Sequence, residues 1–210
     1  MISLSEILHT IAQALMIPCL IILLVLMAGA VWQIGDIVVE FIAERRKHKC
    51  DVSQLLRDVH TAGADGLAEL IENSGLLRRQ KKALLELAES RGLPKDTLTA
   101  LAERLLATEE ARNARTTSIT DMIAKLGPMF GLLGTLIPLG PGIVALGQGD
   151  TVTLSESMNV AFDTTIAGVI SAAVASVISH IRKRWYNDDM VSLETLMEAV
   201  LEEVTSDVEG

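Results

Sequence analysis

Lysine and arginine are absent from residues 1–44 and from residues 126–181 of this 210-residue chain. All 18 of them lie in two stretches, Arg45 to Lys125 and Arg182 to Arg184. Carboxylates thin out in the same regions. None occurs from Ile7 to Gly35, from Leu126 to Gly149, or from Thr164 to Ile181, and only Asp163 interrupts the last run back to Ser157. Cysteine is scarce as well. Cys19 and Cys50 cannot form a disulfide framework and read as free thiols, with none of the clustered His and Cys that a metal site needs. His9, His48, His60 and His180 form no ligand or catalytic pair by spacing. With no nucleophile–base pair and no phosphate loop, the chain is not expected to be an enzyme, and no cofactor is expected. Internal repeats are absent too.

What fills the charge-free regions is apolar. A helix needs about 20 apolar residues to cross the hydrocarbon core of a bilayer. Three runs qualify, Ile11 to Val39, Leu126 to Leu146 and Leu154 to Ile181. The first is not expected to be a signal peptide. It lacks a basic n-region, exceeds an h-region in length, and is followed by the stop-transfer cluster Arg45, Arg46, Lys47 and Lys49. Membrane chains keep their Lys and Arg on the cytoplasmic side. The expected topology therefore puts the N-terminus outside and the C-terminus in the cytoplasm, in a multi-pass protein of the plasma or inner membrane. The outside parts then carry only Glu6, Asp150 and Glu156 as charged groups, with a turn at Gly147-Gln148-Gly149-Asp150. The acidic excess, net −9, falls largely in the cytoplasmic parts, which argues against nucleic acid as a partner.

The fold class expected is all-α integral membrane, with three transmembrane helices and long cytoplasmic helical extensions. Four regions follow: 1–43, the external N-terminus and first span; 44–125, a cytoplasmic helical segment; 126–181, the second and third spans with a short external loop; and 182–210, a cytoplasmic C-terminal helix. Val52, Leu55, Leu56 and Val59 repeat at helical spacing, as do Leu67, Leu70 and Ile71. Another helix carries Leu84, Leu85, Leu87 and Ala88 and stops at Arg91-Gly92. Pro94 suits the first turn of the next helix, with Asp96 at its positive dipole end. No breaker intervenes before Lys125, so that helix is expected to run into the second span. In the tail, Met190, Leu193, Met197, Val200, Leu201 and Val204 share one face, expected to pack on the cytoplasmic stalk or a neighbouring subunit. Asp36 and Glu40 are expected at the cytoplasmic interface, paired with basic residues of the next subunit.

Two segments stand out within the spans. The second opens Gly127-Pro128-Met129-Phe130-Gly131-Leu132-Leu133-Gly134-Thr135. The third contains Met158-Asn159-Val160-Ala161-Phe162-Asp163-Thr164-Thr165-Ile166-Ala167-Gly168-Val169-Ile170-Ser171-Ala172-Ala173. Gly131, Gly134 and Gly168 let helix backbones approach closely in lipid. A Thr hydroxyl in lipid must find its own i−4 carbonyl or a neighbour. Asp163 is an ionisable group inside a span, a position that is costly and usually faces a bundle interior or a water-filled path. It reads either as part of an ion path or partner contact, or as a structural carboxylate bonded to a neighbouring helix.

These segments resemble the MotA/TolQ/ExbB proton channel family, closest in layout to its three-span ExbB/TolQ branch. That family's second-last span typically reads Ala-Pro-x-x-Gly-Leu-Leu-Gly-Thr, and its last Ala-Leu-x-Thr-Thr-x-x-Gly. The resemblance implies a stator-like subunit of an ion-driven motor that couples ion flow to mechanical work or transport outside the membrane. It implies a homo-oligomer, a pentamer, around a single-span ExbD/TolR-like partner bearing a membrane Asp. It implies an ion path at Thr135 and Thr165, with Thr164 and Asp163 beside them. The family's acidic residue stands about three positions earlier, where this chain has Val160. After Thr135 the chain also departs from the family with Pro138-Leu139-Gly140-Pro141-Gly142, expected to kink or unwind the span and open a vestibule. The different-class reading is a membrane permease or assembly scaffold without ion conduction.

Overall fold

The computed structural model describes residues 4–42 and 51–209. Arg45, Arg46, Lys47, His48, Lys49 and Cys50 lie outside the described residues. Six helices follow in order: α1 (Leu4–Ala14), α2 (Met16–Glu40), α3 (Val52–Asn73), α4 (Arg78–Glu89), α5 (Lys95–Gly147) and α6 (Thr151–Glu209). Three helical stretches, Glu6–Glu40, Lys95–Gly147 and Thr151–Ser206, are long and apolar enough to cross a membrane.

The chain divides into two compact units. The first comprises Met1–Asp36 and Thr117–Ile181. In it Leu26 and Ala30 of α2, Ile123 of α5 and Ala175 of α6 form a buried apolar layer. The Cys19 thiol of α2 donates to the Phe130 carbonyl of α5 at 3.4 Å. Much of what remains of the apolar surface is exposed in the single chain: Ile17, Leu24 and Trp32 on α2, Leu132 and Leu136 on α5, Ile166 and Ile170 on α6. A surface of this kind is suited to lipid or to another protein. At the turn, Gly149 takes φ +80°, and Asp150 caps α6 by accepting from the Val152 and Thr153 N–H groups, both at 3.1 Å. The Thr153 hydroxyl donates to the same carboxylate at 2.6 Å. These bonds, the hydroxyl's first, hold the Asp150 carboxyl below its ordinary range.

The proline-rich outer part of α5 does not unwind. The helix is continuous through Pro128, Pro138 and Pro141. Proline's fixed φ is itself helical, so each ring removes one donor without ending the helix. The expected unwinding is therefore not found.

The second unit comprises Ile37–Thr116 and Arg182–Gly210. Its core joins Val59, Leu67 and Ile71 of α3, Leu84 and Leu87 of α4, Leu98 of α5, and Leu193, Met197, Val200 and Val204 of α6. The apolar face of the tail thus packs within its own chain. Asp51 caps α3, and α4 ends at Ser90, just before Arg91-Gly92. Pro94 sits one residue ahead of α5, its carbonyl accepting from Thr97 and Leu98. Gln80 ties α4 to α6, its amide donating to the Asp189 carbonyl at 3.0 Å.

Glu40, expected to pair across subunits, has a partner in its own chain: Arg182, whose Nε donates to Glu40 Oε2 at 3.0 Å. Chain separation hid the pairing: the residues are 142 positions apart. Phe41 and Trp185 stack beside them with ring centroids 6.1 Å apart. Burial, and then the adjacent Glu40 carboxylate, push the Tyr186 phenol up to about 12.

Candidate functional site

In the first unit, α5 and α6 run antiparallel and meet through their smallest residues. A methyl group added at Gly127 would lie 2.7 Å from the Gly168 carbonyl. One added at Gly131 would lie 3.4 Å from the Gly168 Cα, and one at Gly134 would lie 2.7 Å from the Thr164 Cβ. Gly127, Gly131 and Gly134 therefore form a strip on α5 that receives Thr164 and Gly168 of α6. Gly131, Gly134 and Gly168, given packing roles in the sequence, lie along this strip and its counterpart.

The threonines divide. Thr164 is buried, 4% exposed, wedged against Gly134. Its hydroxyl donates back to the Val160 and Ala161 carbonyls, both at 3.0 Å. That side chain fills the helix–helix seam. Thr135 and Thr165 are half-buried. Their hydroxyls rest on local carbonyls, Thr135 on Leu132 at 2.7 Å and Thr165 on Ala161 at 3.0 Å. Each follows a seam residue, Gly134 or Thr164, by one position. In antiparallel right-handed helices, the residue after a facing contact turns to the same side of the pair on both helices. Thr135 and Thr165 therefore share one side of the α5–α6 pair.

Asp163 precedes the seam residue Thr164, so it turns to the opposite side, about 160° around α6 from Thr165. It is exposed in the single chain. The four residues singled out in the sequence thus fall into three places: Thr135 and Thr165 together, Thr164 in the seam, and Asp163 apart.

One polar group in this unit was missed from the sequence. A helical turn beyond the apolar layer of Ala30, Ile123 and Ala175 lie Gln33 of α2, Thr117, Thr120 and Asp121 of α5, and Ser179 of α6. Gln33, Thr117, Thr120 and Ser179 are all buried. The Ser179 hydroxyl donates to the Asp121 carboxylate, while the Thr120 hydroxyl is fully buried with no hydrogen-bond partner among the described residues. The signal in the sequence was the presence of Asp121 four residues before Lys125, at the very edge of an apolar run. Among the described residues, no three His, Cys, Asp or Glu side chains converge as a metal site.

No curated protein matches the chain. The sequence model of the MotA/TolQ/ExbB proton channel family matches residues 69–195, more than half of the chain, including all of α5 and most of α6 with Thr135 and Thr165. This chain, three of whose helices are long and apolar enough to cross a membrane, belongs to the MotA/TolQ/ExbB proton channel family.

Proposed function

We propose that this protein is a stator-like subunit of an ion-driven membrane motor, conducting H⁺ or Na⁺ along the Thr135 and Thr165 side of its α5–α6 pair. The observation that carries this reading is the common side taken by those two hydroxyls, fixed by the Gly134–Thr164 contact. A hydroxyl bonded to its own helix keeps lone pairs free for a passing ion or water.

Within this reading the N-terminus and the turn at Gly149 lie outside the cytoplasm, and the Lys and Arg segments lie in it. Several copies, five by family resemblance, surround a single-span partner whose membrane carboxylate faces the threonines. One charge crossing 100 mV releases about 2.3 kcal/mol, enough for stepwise work on a component outside the membrane.

The test is ion flux in proteoliposomes containing this protein and a candidate single-span partner bearing a membrane carboxylate. Flux is expected to require both proteins and to fall at least tenfold in Thr165→Ala. Flux indifferent to Thr165→Ala and Thr135→Ala would replace the motor reading with that of a scaffold or permease subunit.

A further inference from the structure

Asp163 does not stand alone on its side of α6. Glu156, Asn159 and Asp163 follow one another at i, i+3 and i+7, a single helical face, and all three are exposed in the single chain. Asp163 lies about 20 Å along the helix from the turn at Asp150. That is too deep for lipid headgroups to reach it, and a carboxylate at such depth does not face hydrocarbon. Such a group faces a bundle interior or a water-filled path, and a protein surface that covers it brings hydrogen-bond donors.

The chain has a matching stripe. On α1, Glu6, His9 and Gln13 repeat the same i, i+3, i+7 spacing, with Glu6 and His9 exposed and Gln13 half-buried. The depths also agree. Cys19 bonds to the Phe130 carbonyl, and Gly134, one turn further along α5, meets Thr164. Leu15, one turn before Cys19, therefore lies level with Thr164. Helical hydrogen bonds run through Leu15, from its N–H to the Ile11 carbonyl and from the Cys19 N–H to its own carbonyl. Counting back along α1 sets Gln13 level with Asp163 and His9 level with Asn159. His9 is the one side chain at this depth able to carry positive charge, since residues 1–44 and 126–181 hold no Lys or Arg.

We propose that the Glu156–Asn159–Asp163 face of α6 is the contact with a second copy of the chain, whose α1 brings His9 and Gln13 onto it. His9 donates between the two carboxylates and Gln13 donates to Asp163. Glu6 and Glu156 meet at the aqueous edge, where water and salt screen them. Because one stripe meets a different stripe, the contact is heterologous and repeats from copy to copy, closing a ring where the rotation allows. The inference stands apart from the ion-path reading, because it concerns the opposite side of the α5–α6 pair.

The test is cysteine cross-linking in native membranes, in a Cys19→Ser, Cys50→Ser background. His9→Cys combined with Asn159→Cys in one chain is expected to give an oxidation-dependent ladder of dimers and higher multimers. The two single-cysteine chains, co-expressed, are expected to give dimers only. Linkage confined to one chain overturns the proposal. So does absence of linkage, which assigns the face to another protein. Asp163→Asn and Asp163→Leu provide a second reading by native electrophoresis. The Asn variant is expected to keep the oligomer and the Leu variant to weaken it at least tenfold. A Leu variant that assembles as well as the wild type puts the face in lipid and overturns the proposal. Cross-linking that succeeds while flux stays insensitive to Thr165→Ala would leave this contact standing and remove the motor reading alone.

Discussion

Arg182, 2% exposed, donates from Nε to Glu40 Oε2 at 3.0 Å and so fastens the end of α2 to α6. Removing one partner of a buried pair strands the other charge and costs about 3–5 kcal/mol, far more than an exposed pair is worth. Glu40→Ala is therefore expected to lower the thermal unfolding midpoint in detergent strongly. The double change Glu40→Leu with Arg182→Leu is expected to recover most of the loss. A double variant no better than Glu40→Ala would show that the guanidinium acts through other contacts.

Tyr186 reports on the same place optically, because it is the only tyrosine of the chain. Its phenol is raised to about 12 by burial and by Glu40, against about 10 for an unfolded chain. The folded state holds the proton where the unfolded state has lost it. This group's contribution to stability is thus complete below about pH 10 and is lost as pH rises through about 12. Tyrosinate absorbance is expected to appear late in an alkaline titration of the folded protein, and earlier in Glu40→Gln. Ionisation near pH 10 in the folded wild type would contradict the burial.

The adjacent threonines are expected to behave differently. Thr165→Ala removes a hydroxyl from the shared side and is expected to cut flux at least tenfold with assembly intact. Thr164→Ala opens a small void against Gly134 and is expected to cost about 1 kcal/mol of stability, with flux following the amount of folded protein. Purified oligomer, flux per oligomer and unfolding midpoint separate the two effects.

Gly168 has no room to grow. A methyl group there would lie 2.5 Å from the Gly127 carbonyl and 2.8 Å from the Gly131 Cα. Both obstacles are backbone, so Gly168→Ala is expected to push the helices apart at a cost of about 1–3 kcal/mol. Gly35 faces open space on α2, and Gly35→Ala is expected to be neutral or slightly stabilising in detergent melts.

Gly63 is constrained by backbone rather than space. It interrupts α3 at φ +64° and ψ 173°, and a methyl group added there would meet nothing within 4 Å. That conformation is almost restricted to glycine. Gly63→Ala is expected to cost about 1–3 kcal/mol, read as lower thermal stability of the protein in detergent, with flux per folded oligomer unchanged.

The three apolar helices were legible because charge is excluded from them over long stretches, and the family because Gly-Leu-Leu-Gly-Thr and Asp-Thr-Thr stand at fixed places. The continuity of α5 through Pro138 and Pro141 was not legible. Local preference argues for a break there, and only the folded helix shows that a lost donor need not unwind it. The roles of Thr164 and Thr165 could not be separated in sequence either. They are one position apart, and only the contact of Thr164 with Gly134 says which of them points into the seam. Glu40 and Arg182, distant along the chain, gave no local signal of their pairing.

The glycine strip also decides what can move. Where Gly127 and Gly131 meet Gly168, backbone rests on backbone, with no rotamers to exchange and no side-chain tips to slide over one another. Close-packed contacts of this kind have few alternative arrangements. Within the first unit, α5 and α6 are expected to travel as one plate. Any rearrangement during a cycle then falls on contacts made by side chains with freedom to repack, such as Leu26 of α2 and Ile123 of α5 in their shared apolar layer. The threonine pair is thereby kept at constant spacing while its surroundings change.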